Sequence, residues 1–372
     1  MGVMSALRLD KESPSLLKNQ YNPAVMSGGN TFVTPYDFAA IDLDSAMQVP
    51  TVSKCRQLIC GVIAGIPLEL KKKSTGARLD QPLWLDQPDD RQPRSVTIAY
   101  TVQSLLFHQV AYWEVTAVYK DDGRPARFAW VSNSRVEPRL NAKNTEVEFY
   151  QVDGTQRPNN GVGSLITFQS LQPGVLLTGA RTIRAALDLE KAAAVSAATP
   201  MATTVIKNSG ADLPEAQVLG ILAAWKAARI NRSTAYLTST LEAQNLGFSP
   251  RDMMYNEAKQ FLSTEICRLM NVPAYMASSD MNASMTYQNI LDARKEYFAY
   301  TLAPYVNAIE DRLSMNDITS SQNIVKFSAD ETFLRADTTV RLATIEKMLE
   351  LELITLDQAK AMENLTPDGS TL

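Results

Sequence analysis

Apolar and polar positions alternate in two different periods along the chain. From Val49, residues Val52, Cys55, Ile59, Val62 and Ile63 recur on one face at helical spacing. Pro67 ends that helix, and Leu68 to Lys72 reads as a strand. Residues 81–93 hold Pro82, Pro88 and Pro93 and read as a loop around Trp84. Ser95 is a candidate cap for a helix to about Gln109. Ala111 to Lys120 is apolar or aromatic nearly throughout and predicts a strand. Asp121-Asp122-Gly123 is a turn, and Arg127 to Val131 returns as a second strand. Short strands follow at Val147–Val152 and Leu165–Phe168. Residues 1–48 are weakly patterned, with loop chemistry at Asn22-Pro23 and Ser27-Gly28-Gly29-Asn30. They read as an extended arm.

The helical period dominates after Gly174. Thr178 to about Thr199 is alanine-rich and predicts a helix. Thr203 to Lys207 is a short strand. Asp212-Leu213-Pro214-Glu215 starts a helix that runs to about Ile230, and Ala235 to Leu241 is a further strand. Ser249-Pro250-Arg251-Asp252 is a helix start, followed by an apolar face of Ala258, Phe261, Leu262, Ile266 and Leu269. Asn271-Val272-Pro273 stops that helix hard. A polar loop follows, Ala274 to Ser284. Thr286 to about Met315 then predicts a helix of roughly 30 residues, about 45 Å long. Its buried side is marked by Ile290, Leu291, Phe298, Leu302, Tyr305, Val306, Ile309 and Leu313. Pro304 removes the donor for the carbonyl of Tyr300, so a bend is expected there. A helix this long implies an elongated subunit or packing against neighbouring copies. Two tail helices are expected at about Asp337–Leu351 and Thr355–Leu365, the second opened by the capping box Thr355 to Gln358. The fold class is α+β.

Composition narrows the functions. The chain has 372 residues, is 45% hydrophobic and carries a formal charge of -4, so it can bury a core but has no basic excess for gripping nucleic acid. Three cysteines, Cys55, Cys60 and Cys267, are too few and too irregularly spaced for a disulfide scaffold or zinc knuckle. They read as buried small hydrophobes. No run reaches the roughly 18 apolar residues of a membrane span. Residues 1–10 lack a signal-peptide pattern, and Ala6 occupies the position where a myristoylation motif needs Ser or Thr.

Catalytic chemistry is sparse. His108 is the single histidine and lies inside an apolar helical pattern, so no HExxH site can exist. No GxxxxGK[ST] phosphate loop occurs, and Asn160-Gly161-Val162-Gly163 does not lead into a helix. The carboxylate pairs Asp89-Asp90 and Asp121-Asp122 leave one alternative open: a carboxylate-based glycoside hydrolase of phage origin. Both pairs lie in turn sequences, where solvated Asp is expected. The residues point to no cofactor, no metal and no catalytic group.

Five stretches carry a resemblance: Ile63-Ala64-Gly65-Ile66-Pro67-Leu68-Glu69-Leu70, Pro82 to Asp89, Glu265 to Pro273, Leu302 to Glu310, and Leu353 to Lys360. In this order they resemble tailed-bacteriophage portal proteins of the HK97-type family. Glu352 stands where that family's last motif has glycine, and Lys360 where it has Arg. The resemblance implies an elongated subunit with a mixed α/β wing, helical stem, small α/β clip, long kinked helix and helical crown. Residues 1–48 would be an arm, 49–175 the wing, 176–201 a stem helix and 202–248 the clip. Residues 249–272 would be the second stem helix, 273–285 the tunnel loop, 286–334 the kinked helix and return to the wing, and 335–372 the crown. It also implies a homododecameric ring at one capsid vertex of the virion, assembled in the host cytoplasm. Double-stranded DNA would pass through it, and the major capsid protein, large terminase subunit and head–tail adaptor would be its partners.

The loop chemistry suits such a channel. Asp280 is the only charge between Ala274 and Ser284, and no Lys or Arg is present to hold phosphate. Ser278, Ser279, Asn282 and Ser284 offer exchangeable hydrogen bonds, while Met276, Met281 and Met285 are flexible. Together with Asp280, these polar residues and Met281 are the expected surface facing DNA. Lys226, Arg229 and Arg232, near the end of the clip helix, are docking candidates as well as natural complements to its dipole. Arg181 and Arg184 start a helix, where cations are disfavoured, so a partner is expected for them in a neighbouring subunit's carboxylate or passing phosphate. The closing helix pair lacks the Arg of a DNA-reading helix.

Overall fold

The computed structural model describes residues 41–141, 143, 147–198, 204–208, 210, 213–230, 241–245, 255–277, 289–329, 333 and 338–363. In chain order it opens with α1 (Leu43–Met47), α2 (Pro50–Gly65), β1 (Leu68–Lys72), α3 (Leu83–Asp86), α4 (Arg94–His108), β2 (Val110–Val118), β3 (Pro125–Val131), β4 (Val136–Leu140), β5 (Val147–Val152), β6 (Thr155–Gln156) and β7 (Leu165–Gln169). Then come α5 (Val175–Thr178), α6 (Ala180–Ala198), β8 (Thr204–Asn208), α7 (Glu215–Ile230), β9 (Leu241–Asn245) and α8 (Tyr255–Leu269). The chain continues through α9 (Asn289–Tyr297), a π-helical segment (Phe298–Leu302), α10 (Ala303–Leu313), β10 (Asn323–Phe327), α11 (Thr338–Glu350) and α12 (Leu356–Met362). It divides into two compact units, residues 182–265 and the remainder.

The larger unit is layered around β2. Strand β2 pairs antiparallel with β3 on one side and β7 on the other. Its odd-numbered side chains face α4. Trp113 is 1% exposed, stacks near Phe128 and Phe168, and donates its indole N–H to Thr101 Oγ1 of α4 at 2.7 Å. The opposite face is covered too: Val110 and Tyr112 pack with Val136 and Val152 of the β4-β5-β6 sheet. Burial on both faces explains why the first half of this strand, Val110 to Trp113, is apolar rather than alternating. Each large side chain so buried contributes roughly 1.5–3 kcal/mol.

Two expected features differ. Helix α4 starts one residue before Ser95, with Pro93 as its cap residue and no side-chain cap. Proline's fixed φ does the work of entry. The start is pinned by Arg94 donating to the Ile66 carbonyl at 2.7 Å and Gln92 donating to Thr97 Oγ1 at 2.9 Å. Within the expected 81–93 loop, Leu83–Asp86 forms a helical turn that buries Trp84 and Leu85.

The chain returns to this unit through β10, which pairs antiparallel with β1, Leu68 opposite Phe327 and Lys72 opposite Asn323. Glu310, 5% exposed on α10, fastens that return. One carboxylate oxygen accepts the Phe327 N–H at 2.7 Å, and the other accepts Lys326 Nζ.

In the smaller unit β8 and β9 form an antiparallel ribbon, Thr204 opposite Asn245 and Asn208 opposite Leu241. Residues 235–240 of the Ala235–Leu241 expectation lie outside the described residues, and Leu241 opens the described strand. Helix α7 presents Val218, Leu219 and Leu222 to the surface.

Candidate functional site

The best-defined local geometry lies where α8 ends and the segment toward α9 begins. Helix α8 closes in a six-residue cap: Val272 N–H donates to the Cys267 carbonyl at 2.9 Å and Asn271 N–H to the Arg268 carbonyl at 3.1 Å. Asn271 adopts φ 52°, the left-handed conformation that this cap requires. Val272 is buried behind it, and Pro273 prevents continuation. The hard stop read at Asn271-Val272-Pro273 therefore has a defined bond pattern.

Beneath this cap lies a packed floor. Cys55, Cys267, Met270, Tyr297, Leu302 and Val306 are all 3% exposed or less. The Cys55 thiol pKa is driven up first by its hydrogen bond with Cys267 and then by burial. Burial pushes Cys60 up to about 12. Both stay protonated and pack as small apolar groups. The phenol of Tyr305 is also raised by burial, and its hydroxyl lies 3.4 Å from Gln172 Oε1. Leu269, the last residue of α8, lies directly over Gly179, where a Cβ would approach its Cδ2 to 2.1 Å.

The long helix is continuous from Asn289 to Leu313, but not uniform. Directly before Pro304 it widens into the π segment, where the Ala303 N–H donates to the Phe298 carbonyl. The Tyr300 carbonyl is the one that Pro304 cannot serve. It accepts instead from Asn271 Nδ2 at 2.7 Å. In return Thr301 Oγ1 donates to the Asn271 carbonyl at 2.5 Å. Nearer the loop, the Tyr275 phenol is raised first by burial and then by the charge of Glu296 on α9.

The sequence-derived candidates fare unevenly. Ser278, Ser279, Asp280, Met281, Asn282 and Ser284 lie outside the described residues, as does Arg232. So do the Ser249-Pro250-Arg251-Asp252 helix start and the 1–40 part of the arm. Lys226 and Arg229 fall in the last turns of α7, where the backbone alone is described. Pro304 is the second residue of α10. Arg181 and Arg184, at the start of α6, already have interaction partners in the chain. Phe261, expected on a buried face, is 62% exposed. Asn271, Thr301 and Glu310, which make these long-range bonds, were not among the sequence-derived candidates. Only the spacing of Pro304 from Tyr300 and the Asn-Val-Pro stop hinted at them.

Three of the four paired carboxylates are engaged structurally. Asp89 is buried, contrary to the solvated reading, because its Oδ1 caps the Arg91 N–H at 2.8 Å. Asp90 pairs with Arg127, and Asp122 accepts the Arg124 N–H at 3.1 Å. His108 ends α4, and burial holds its pKa below the ordinary value. Among the described residues no group of three His, Cys, Asp or Glu could hold a metal, and no helix is long and apolar enough to cross a membrane.

Residues 50–364 match the family model for phage portal protein. A probable portal protein of Streptomyces phage phiC31 is 25% identical over 407 aligned positions, spanning 99% of this chain and 86% of its own. An HK97 family phage portal protein from Corynebacterium diphtheriae has the same fold, with a TM-score of 0.60, 21% identity, and coverage of 81% of this chain and all (100%) of its own. A chain in the neck of a native gene transfer agent particle, computed with C12 symmetry, aligns with a TM-score of 0.59 and 18% identity over 92% of this chain and 98% of its own. The match runs through every motif singled out above from Ile63 to Lys360, and the mixed helix-and-sheet fold agrees with it. The chain belongs to the phage portal protein family.

Proposed function

We propose that this chain is a portal subunit that closes into a ring, a homododecamer in the virion, at one capsid vertex. Double-stranded DNA passes through its axis during packaging and ejection. The observation that carries this reading is the family match along residues 50–364. The C12 symmetry of the gene transfer agent neck supports the twelve-fold ring.

In this reading the β2-centred unit is the wing and α6 and α8 are stem helices. The β8–α7–β9 unit is the clip, 273–285 the tunnel loop and α11–α12 the crown. The ring sits against the major capsid protein. The clip docks the large terminase subunit and then the head–tail adaptor, with Lys226, Arg229 and Arg232 among its contacts. The tunnel loop presents Ser278, Ser279, Asp280, Met281, Asn282 and Ser284 to DNA without binding phosphate tightly, because counterion release would otherwise favour holding the cargo. Pro304 marks the kink of the bridging helix. Large apolar side chains on the surface, Leu219 at 60%, Phe261 at 62% and Leu177 at 51% exposure, are what neighbouring copies would cover.

Native mass spectrometry and negative-stain imaging of the purified protein test the reading. A ring with an axial hole is the expected result. A lone rounded monomer at high concentration would sink it, and sugar-cleaving turnover in that sample would favour the hydrolase instead.

A further inference from the structure

We infer that Asn271 and Thr301 form a latch that sets the footing of residues 272–277 on the long helix, and that Pro304 serves chiefly to leave the latch its acceptor. In an uninterrupted helix the Tyr300 carbonyl would accept from the amide of residue 304. Proline has none, so that carbonyl is open to a donor from outside the helix. Asn271 Nδ2 is that donor, at 2.7 Å. The second bond runs the other way, from Thr301 Oγ1 to the Asn271 carbonyl. Two bonds of opposite direction between one residue and two consecutive ones fix translation and rotation together.

The choice of Asn at 271 follows. The cap needs a left-handed residue, which glycine supplies at least steric cost. Glycine would leave the Tyr300 carbonyl without its amide donor. Asparagine tolerates the φ of 52° and adds the amide. Thr301 is 3% exposed, so its hydroxyl is confined to this geometry rather than sampling solvent. The π segment Phe298–Leu302 contains both Tyr300 and Thr301. Asn271 and Tyr300 are 29 residues apart, so the latch offsets part of the entropy of bringing these two positions together.

The consequence for DNA passage rests on the portal reading: loops with a fixed footing restrict a channel uniformly. The latch itself does not rest on it, and a double-mutant cycle separates the two. Asn271→Gly keeps the left-handed cap and removes only the amide. Pro304→Ala restores an N–H that can serve Tyr300 internally. Hydrogen exchange in Asn271→Gly is expected to accelerate roughly five- to tenfold at 272–277 and 298–303, the loss of about one hydrogen bond. Adding Pro304→Ala should return most of that protection at 298–303, so the two changes must be non-additive. Spin labels at Ala277 and Lys54 should give a broader distance distribution in Asn271→Gly, and again in Thr301→Val. Additive effects with an unchanged distance distribution would overturn the latch while leaving a ring intact. Failure to form a ring, with the coupling present, would overturn the portal reading alone.

Discussion

Glu352 shares with Asn271 a φ of 52°, and it occupies the position where the family motif has glycine. The cap at the end of α11 has the same bond pattern: Leu353 N–H to the Met348 carbonyl and Glu352 N–H to the Leu349 carbonyl, both 3.0 Å. A left-handed non-glycine residue costs roughly 1–2 kcal/mol. Among the described residues no side-chain bond of Glu352 offsets it. Glu352→Gly is expected to slow hydrogen exchange at Glu352 and Leu353 about two- to fivefold, the net of relieved strain and added chain entropy. His108 gives a second residue-scale outcome. Burial lowers its pKa, so the unfolded chain takes up the proton first as pH falls. Stability is therefore full above the ordinary value of 6.5 and declines as pH drops below it. It is the chain's single histidine, so urea midpoints between pH 7 and about 5.5 should fall in the parent and flatten in His108→Gln. What was legible at this scale was local. The Thr355–Gln358 capping box forms with both reciprocal bonds, at 2.9 and 3.3 Å, because its partners lie three residues apart. Asn271 with Tyr300 and Glu310 with Phe327 span 29 and 17 residues, beyond the reach of any local pattern.

At the scale of elements, hydrophobic period located β2, β5, β7, α2 and the long helix because each buries a defined face. β4 escaped because Glu137, Pro138 and Arg139 interrupt its apolar pattern, and β10 because its apolar run is only Ile324 and Val325 before Lys326. The start of α4 was misread because Ser95 has cap chemistry but Pro93 already holds the entry. Close approach is equally invisible from sequence. Gly174 precedes α5 at a point where a Cβ would lie 2.3 Å from the Phe107 carbonyl oxygen and 2.9 Å from its carbon. Backbone cannot yield there as a flexible side chain could. Gly174→Ala must therefore pry α5 from the end of α4, at a cost of about 2 kcal/mol. A urea midpoint lowered at unchanged slope is the expected result. An unchanged midpoint would mean that the α4–α5 junction is looser than its geometry implies.

At the scale of the whole molecule, the family was legible because its motif residues are the joints of the fold. Ile63 to Leu70 runs from the end of α2 into the strand that receives β10, Glu265 to Pro273 is the cap of α8, and Leu302 to Glu310 ends on the carboxylate that anchors the return. Assembly is a different matter, since both faces of each contact between copies lie in one sequence and no local pattern marks which residues meet. The channel reading accordingly meets its hardest test in the loop. If the ring is held by its larger surfaces, residues that only face DNA contribute nothing to closure. Deleting Ser278 to Asn282 should then leave rings of parental mass, because the latch at Asn271 and Tyr300 lies outside the deletion. The same particles should package less DNA or lose it after filling, measured as nuclease-protected DNA per particle. A deletion that abolishes the ring would instead make the loop a clamp between copies. Full packaging with intact rings would remove it from the channel altogether.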